Sequence, residues 1–251
     1  MNKTLNHFNL SMLFLNNGNQ YAKINPGGKV DSITVFSQTA GLRGAYKSGR
    51  LNGLLYAYIQ TGRDAGNKPL QAFCTSAELN VSLTKGLSLT GGGEFISGTS
   101  QTDTLQTQNR SFSPFYGTNH RTNGYMDYFY VGNHFNSVGL ADAYLKINYT
   151  FRKVWLGLNG HLFHAAAPIR NKKHTQKMVA MAPYLGTEID LSLSWQYSDG
   201  VAIQGGYSQM FGTTSLKAIK GGSTSTISNW AYLMLIIRPG KISWPKTGIK
   251  S

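Results

Sequence analysis

The sequence predicts an all-β fold, namely a transmembrane antiparallel up-and-down β-barrel. Segments of about ten residues alternate apolar with polar side chains, which is the period of a strand whose two faces meet different surroundings. The connections between these segments alternate between short and long. Short turns at one end and long loops at the other are typical of barrels in bacterial outer membranes.

Composition agrees with a barrel that crosses a membrane by strands. The 251 residues carry only 14% charged side chains and include 29 glycines, 14 tyrosines and 12 phenylalanines. No apolar run reaches the ~18 residues that a membrane-spanning helix needs. The single cysteine, Cys74, excludes an internal disulfide framework and any multi-cysteine metal site.

The net charge of +14 has two interpretations. Basic loops could contact the phosphates of membrane lipid and lipopolysaccharide, or the chain could bind nucleic acid. The basic residues neither cluster on a helix nor interleave with a stacking motif. We therefore expect lipid partners, no nucleic acid, and a monomeric barrel in the cell outer membrane.

The N-terminus reads as a strand and lacks the apolar core and cleavage site of a signal peptide. Phe8, Leu10, Met12 and Phe14 alternate with polar residues. We therefore expect a truncated front end. Residues 1–251 are predicted to form one barrel domain or the C-terminal section of one, with 239–251 as a periplasmic tail.

Five strands are predicted in the first part of the chain, and the clearest is the fourth, in which apolar residues alternate strictly with Ser76 and Glu78. Turn formers in 16–32 predict a long first connection. The run 91–93 is all glycine, and we expect a bulge or kink there. The predicted strands are 7–15, 33–47, 51–61, 71–83 and 87–96.

Five further strands follow the longest connection, residues 97–138. Short turns are predicted at 152–153 and 198–200, and long basic or Ser/Gly-rich connections at 165–183 and 212–228. The predicted strands are 139–151, 154–164, 184–197, 201–210 and 229–238.

Charged residues favour a barrel over a soluble sandwich, the main alternative with alternating strands. Half of the acidic residues lie in the middle of strands on the polar face, which in a barrel lines water. Aromatic residues near the short turns lie on the apolar face, as an interfacial girdle would. The acids are Glu78, Glu94, Asp142, Glu188 and Asp190. The aromatics are Tyr46, Tyr149, Phe151, Trp195 and Tyr197.

The long connection carries a family resemblance. Residues 115–134 read FYGTNHRTNGYMDYFYVGNH, residues 138–146 read VGLADAYLK, and residues 185–190 read LGTEID. This pattern resembles the alginate export family of outer-membrane proteins, in the form common in Bacteroidetes-type bacteria. The resemblance implies a barrel of about eighteen strands that conducts anionic polysaccharide through a basic lumen. With room for about ten strands, the chain resembles the C-terminal part of a member.

Candidate pore-lining residues follow from the polar face and from the long loop. Arg43, Lys47 and Lys146 are inward bases that could steer an anionic solute. They could instead pair with the inward acids and only satisfy the barrel interior; these acids are Glu78, Glu94, Asp142, Glu188 and Asp190. The loop 115–134 could fold into the lumen or pack on the surface. In the lumen it would present further pore-facing side chains, which are His120, Arg121 and Asp127.

Three functions remain open from the sequence. The favoured one is a porin-like channel for anionic or polar saccharides. The second is a non-conducting surface barrel that acts as an adhesin or lipid-binding scaffold, and the third is an outer-membrane hydrolase. No nucleophile motif such as G-x-S-x-G occurs, and His161 and His164 lie on opposite strand faces. We therefore expect no enzyme activity, no cofactor and no metal.

Overall fold

A computed structural model of the chain describes residues 2–115, 122–173, 178–223 and 227–238. They form one sheet of eleven strands, all antiparallel and in chain order, so the predicted all-β, up-and-down fold class is confirmed. No helix in these ranges is long and apolar enough to cross a bilayer. The predicted tail 239–251 lies outside the described residues.

The ten predicted strands are present, and a four-residue strand precedes them. The strands are β1 (Asn2–Leu5), β2 (Phe8–Ile24), β3 (Val30–Ser48), β4 (Leu51–Arg63), β5 (Pro69–Ser82), β6 (Leu87–Ile96), β7 (Leu140–Phe151), β8 (Val154–His164), β9 (Tyr184–Ser198), β10 (Val201–Gly212) and β11 (Ser228–Ile237). A 3-10 turn (Val131–Asn133) lies in the longest connection, and helix α1 (Thr214–Lys220) joins β10 to β11.

The expected connection at 16–32 is wrong, because strands β2 and β3 continue through most of it. Only residues 25–29 separate the two strands. Gly18, which reads as a turn former, pairs with Phe36, and a Cβ on Gly18 would lie 3.1 Å from the Phe36 ring. The glycine thus leaves room for an aromatic ring on the neighbouring strand.

Of the bulge or kink expected at residues 91–93, the bulge is absent from the sheet. Strand β6 pairs with β5 and β7 in an unbroken register through all three glycines. Gly92 is opposite Tyr144, and a Cβ there would lie 2.6 Å from the Tyr144 hydroxyl. Close approach of the Tyr144 ring therefore explains this glycine.

The two faces of the sheet have the polarity predicted for a barrel wall. Leu79, Leu145 and Leu191 are 50%, 52% and 50% exposed, whereas Glu188 and Asp190 on the opposite face are fully buried. A water-soluble protein shows the reverse arrangement, since its large apolar side chains avoid water and its carboxylates seek it. The predicted aromatic girdle is outward as well; Phe151 and Tyr197 are 54% and 61% exposed.

The two ends of the sheet are not joined to each other among the described residues. β11 pairs with β10 alone, and β2 pairs with β1 and β3. Strand β1 covers only residues 8–11 of β2. The expectation of a larger barrel of about eighteen strands therefore stays a prediction.

The buried apolar core lies at the long-loop end of the sheet, where connections pack over the inward face. Phe112, Phe129 and Val138 from the longest connection contact wall residues of the strands, and Leu216 of α1 joins them. Thr213 caps α1 by accepting a hydrogen bond from the backbone N–H of Leu216. Loops and helix thus close over the inward face at this end.

Candidate functional site

The longest connection folds against the inward face of the sheet. We call the described residues of this connection, 97–115 and 122–139, the inward loop. The Gln60 side chain of β4 donates to the Ser113 carbonyl at 2.8 Å and accepts from the Ser113 N–H at 2.9 Å. On the other side, Glu188 of β9 accepts the backbone N–H groups of Tyr125 and Met126 at 2.6 and 2.9 Å. Of the two placements left open by the sequence, the described residues adopt the one inside the wall.

A cavity of about 330 Å³ lies between the inward loop and strands β2 to β7. Aromatic rings form much of its lining, and hydrogen-bonding side chains lie between them. The rings are Tyr56, Tyr58, Phe112, Phe115 and Tyr144, and the polar groups include Arg43, Ser76, Glu78, Glu94 and Asn123.

Neutral side chains hold the carboxylates around this cavity. The Tyr56 hydroxyl and the Asn123 amide donate to Glu94, the latter at 2.9 Å. The Tyr144 hydroxyl donates to Glu78 at 2.8 Å. Within the described part of the chain, no lysine or arginine forms an ion pair with either carboxylate. Direct ion pairs of inward bases with Glu78 and Glu94 are therefore absent from the described residues, although the charge of Lys146 acts on Glu94.

The predicted inward bases are not brought together. Arg43 lines the cavity. The Lys146 ammonium lies over the Tyr144 ring, 4.3 Å from its centroid. Lys47 lies exposed at the short-turn end, where its backbone carbonyl is 3.1 Å from the His7 ring.

The remaining predicted site residues belong to the inward loop and to β9. Glu188 and Asp190 are fully buried beneath the loop. Asp127 lies exposed with a φ of 57° and is not part of the cavity lining. His120 and Arg121 lie outside the described residues.

Sequence reasoning missed the residues that fasten the loop to the wall. Gln60 and Asn123 bridge strand and loop, and neither carries a charge that marks it as a candidate. A partial signal existed, since Tyr56, Tyr58 and Gln60 share the polar face of β4. Aromatic side chains on that face have no role in a plain water-filled pore and indicate a contact surface.

No protein-family model matches the sequence, and no curated protein matches it significantly. Similar solved structures include the NanC porin, with 10% identity over 93% of this chain and 94% of that one. A mutant ferric enterobactin receptor PfeA of Pseudomonas aeruginosa shares 11% identity over 82% of this chain and 33% of the receptor. The copper transporter OprC shares 11% over 86% and 37%.

All three likenesses have a TM-score of 0.43, and we base no argument on them. The chain spans about a third of the length of PfeA and OprC. None of these comparisons shows the alginate export family, so that resemblance stays a prediction.

His134 gives the inward loop a predicted sensitivity to acid. This side chain is 3% exposed, and burial together with the charge of Lys220 lowers its pKa to about 4. Burial also lowers the pKa of Lys220 to about 8. The unfolded loop takes up a proton on His134 near its ordinary pKa of about 6.5, so loop stability falls as the pH drops from there toward 4.

We expect the free energy of local loop opening to fall by about 2 kcal/mol between pH 7 and pH 5. Hydrogen exchange of residues 128–138 measures it. His134→Gln should remove this pH dependence, and His7→Gln, a change at an exposed histidine, should keep it. A pH dependence that persists in His134→Gln would assign the effect to another group.

Proposed function

We propose that this chain forms the wall of a porin-like outer-membrane channel that admits polar saccharides. The observation that carries the proposal is the combination of an exposed apolar outer face with an inward cavity lined by rings and fixed hydrogen-bonding groups. Hydrocarbon accommodates such an outer face, and only closed sheets or helices satisfy the backbone there. An inward cavity on such a wall is then a binding site for a solute that passes through the channel.

The lining of the cavity suits sugars. Aromatic faces pack against the apolar C–H faces of a pyranose ring, while carboxylate and amide oxygens accept from hydroxyl groups. Tyr56 and Tyr58 have ring centroids 5.5 Å apart and form an aromatic platform on β4. A volume of about 330 Å³ lies at the lower end of the ~300–1,000 Å³ usual for ligand pockets.

The charges around the cavity favour a neutral polar solute over a strongly anionic one. Arg43 is the charged base in its lining, since burial lowers the pKa of His134 there to about 4, whereas Glu78 and Glu94 both contribute carboxyl groups to it. An anionic polysaccharide would be repelled by ionised carboxylates in a narrow lumen. Anionic solutes of the alginate type thus remain the less favoured member of the proposed substrate class.

Planar-bilayer recordings test this function. The purified protein should conduct with weak ion selectivity, and neutral oligosaccharides should block the current reversibly. Tyr58→Ala should weaken the block about tenfold, because it removes one ring worth about 1–1.5 kcal/mol. Tyr149→Ala, which removes an outward ring that is 44% exposed, should leave it unchanged. Conductance without any sugar block would contradict the proposal.

A non-conducting surface barrel is the second candidate. The attachment of the inward loop to both β4 and β9 favours it, since a loop held at two sides obstructs the lumen. This candidate predicts no conductance and measurable binding to lipopolysaccharide. A hydrolase is the third candidate, and it would use His161, whose Nδ1 atom lies 2.9 Å from an oxygen of Asp142.

A further inference from the structure

We propose that Glu188, Asp190 and Ser208 form a buried site for a hard divalent cation, with Ca²⁺ as the best-fitting species. The site lies on the inward face of the wall, beneath the inward loop and outside the lining of the cavity described above. This cation site is distinct from the proposed saccharide-binding cavity, and the proposal does not depend on that cavity.

Strand register brings the three side chains together. Glu188 and Asp190 are two residues apart on β9 and therefore project from the same face. Ser208 on β10 is directly opposite Asp190, and Asn159 on β8 is opposite Asp190 from the other side. Side chains of directly opposed residues share one face at a Cβ separation of about 5 Å.

The polar atoms of this group receive no hydrogen bond from residues outside it. Both carboxylate oxygens of Asp190, the Oε2 atom of Glu188 and the Oγ atom of Ser208 are buried without such a partner, and the carboxyl groups of Glu188 and Asp190 meet each other. Glu188 and Asp190 are 0% exposed and Ser208 is 1% exposed. Buried polar groups are almost always paired, and two adjacent carboxylates without a counter-charge are especially costly. Ser208 is an independent indication, because its neutral hydroxyl is also unpartnered and belongs to a different strand.

The basic side chains nearest the two acids are engaged elsewhere. His161 is directly opposite Glu188, but its Nδ1 atom lies 2.9 Å from an oxygen of Asp142. Lys146 is in register with Asp190 but lies two strands away, a backbone separation of about 10 Å. Its ammonium group lies over the Tyr144 ring. The donors are all oxygen, the ligand type that Ca²⁺ prefers. Among the described residues, no group of three or more His, Cys, Asp or Glu side chains could hold a metal ion. The proposed site has only two such side chains, so the Ser208 hydroxyl and water molecules would complete the coordination of the ion.

Cation binding would be coupled to the inward loop through Glu188. Its Oε1 atom accepts the N–H groups of Tyr125 and Met126, while its Oε2 atom is buried without a hydrogen bond and is free to bind a cation. An ion on Oε2 fixes the carboxylate in the orientation that holds the loop backbone. Ca²⁺ should therefore protect these two amides from hydrogen exchange.

Equilibrium dialysis of the full chain in detergent with Ca²⁺ tests the proposal. The wild-type protein should bind one ion per chain and gain protection at residues 125 and 126. Asp190→Asn keeps the side-chain shape and should weaken binding at least tenfold. Ser208→Ala, a milder change if the first variant folds poorly, should weaken it severalfold. Glu78→Gln removes a carboxylate that Tyr144 already satisfies and should leave Ca²⁺ binding unchanged.

Two results would overturn the cation site. The first is wild-type protein that binds no Ca²⁺, which would mean that a proton shared by the two acids neutralises them. The second is Ca²⁺ binding that Asp190→Asn and Ser208→Ala leave intact, which would assign the ion to other surface oxygens.

Discussion

Replacing Leu145 by arginine is expected to destabilise the folded protein in lipid by about 2–4 kcal/mol. Leu145 lies in the middle of β7 on the outward face and is 52% exposed. In a bilayer this position meets hydrocarbon, where a guanidinium group loses its hydration without gaining a partner. Urea titration of the protein reconstituted in vesicles measures the change.

The matched control lies on the same strand. Asn148 points to the inward face, where water and polar side chains receive a charge, as they already do at Lys146. Asn148→Arg should change the free energy of unfolding by less than about 1 kcal/mol. Equal destabilisation by both variants would show that the two faces do not differ in solvent.

Replacing Gly124 by valine is expected to release the inward loop from the wall. Gly124 has a φ of +83°, and a Cβ there would overlap the Glu188 carboxylate. Left-handed backbone costs a β-branched residue at least 1–2 kcal/mol, and the overlap adds to this. The amides of Tyr125 and Met126 should lose protection from exchange by about a hundredfold, as expected when ~2.7 kcal/mol is lost.

Loop release should also raise the single-channel conductance severalfold, because the loop no longer obstructs the lumen. Gly28→Val is the control: its φ of +76° imposes similar strain in the β2–β3 turn, and no atom lies within 4 Å of its added Cβ. It should leave both exchange at residues 125 and 126 and conductance unchanged. Loop protection that survives Gly124→Val would contradict the contact with Glu188.

Alternation of apolar and polar residues was sufficient to predict the strands, because the two faces of each strand meet different surroundings. For β6 and β8 the predicted bounds 87–96 and 154–164 agree with the structure. The prediction failed where glycine has a second use. Gly18 and Gly92 make space for Phe36 and Tyr144 on neighbouring strands, and such pairs depend on a register that the sequence of one strand does not contain.

The candidate site was predictable only in part. The polarity of Arg43, Glu188 and Asp190 placed them on the inward face, where the structure has them. Which inward residues meet the loop could not be predicted. Gln60 and Ser113 are 53 residues apart, and the Gln60 side chain binds backbone groups of Ser113 that almost every residue carries. Lys47 was predicted to line the pore, because its side chain is on the polar face of β3. The structure places it at the short-turn end of that strand, outside the cavity lining.

Solvent accessibility along β7 tests the central claim most directly. Nitroxide labels would be attached one at a time to positions 143–149 after replacing Cys74 by alanine. In vesicles, the odd positions should be accessible to oxygen dissolved in lipid. Positions 146 and 148, which are inward and half-buried, should be accessible to a water-soluble nickel complex. Labels at 145 and 147 that are shielded from both reagents, or a pattern without this alternation, would contradict a sheet with hydrocarbon on one face and water on the other.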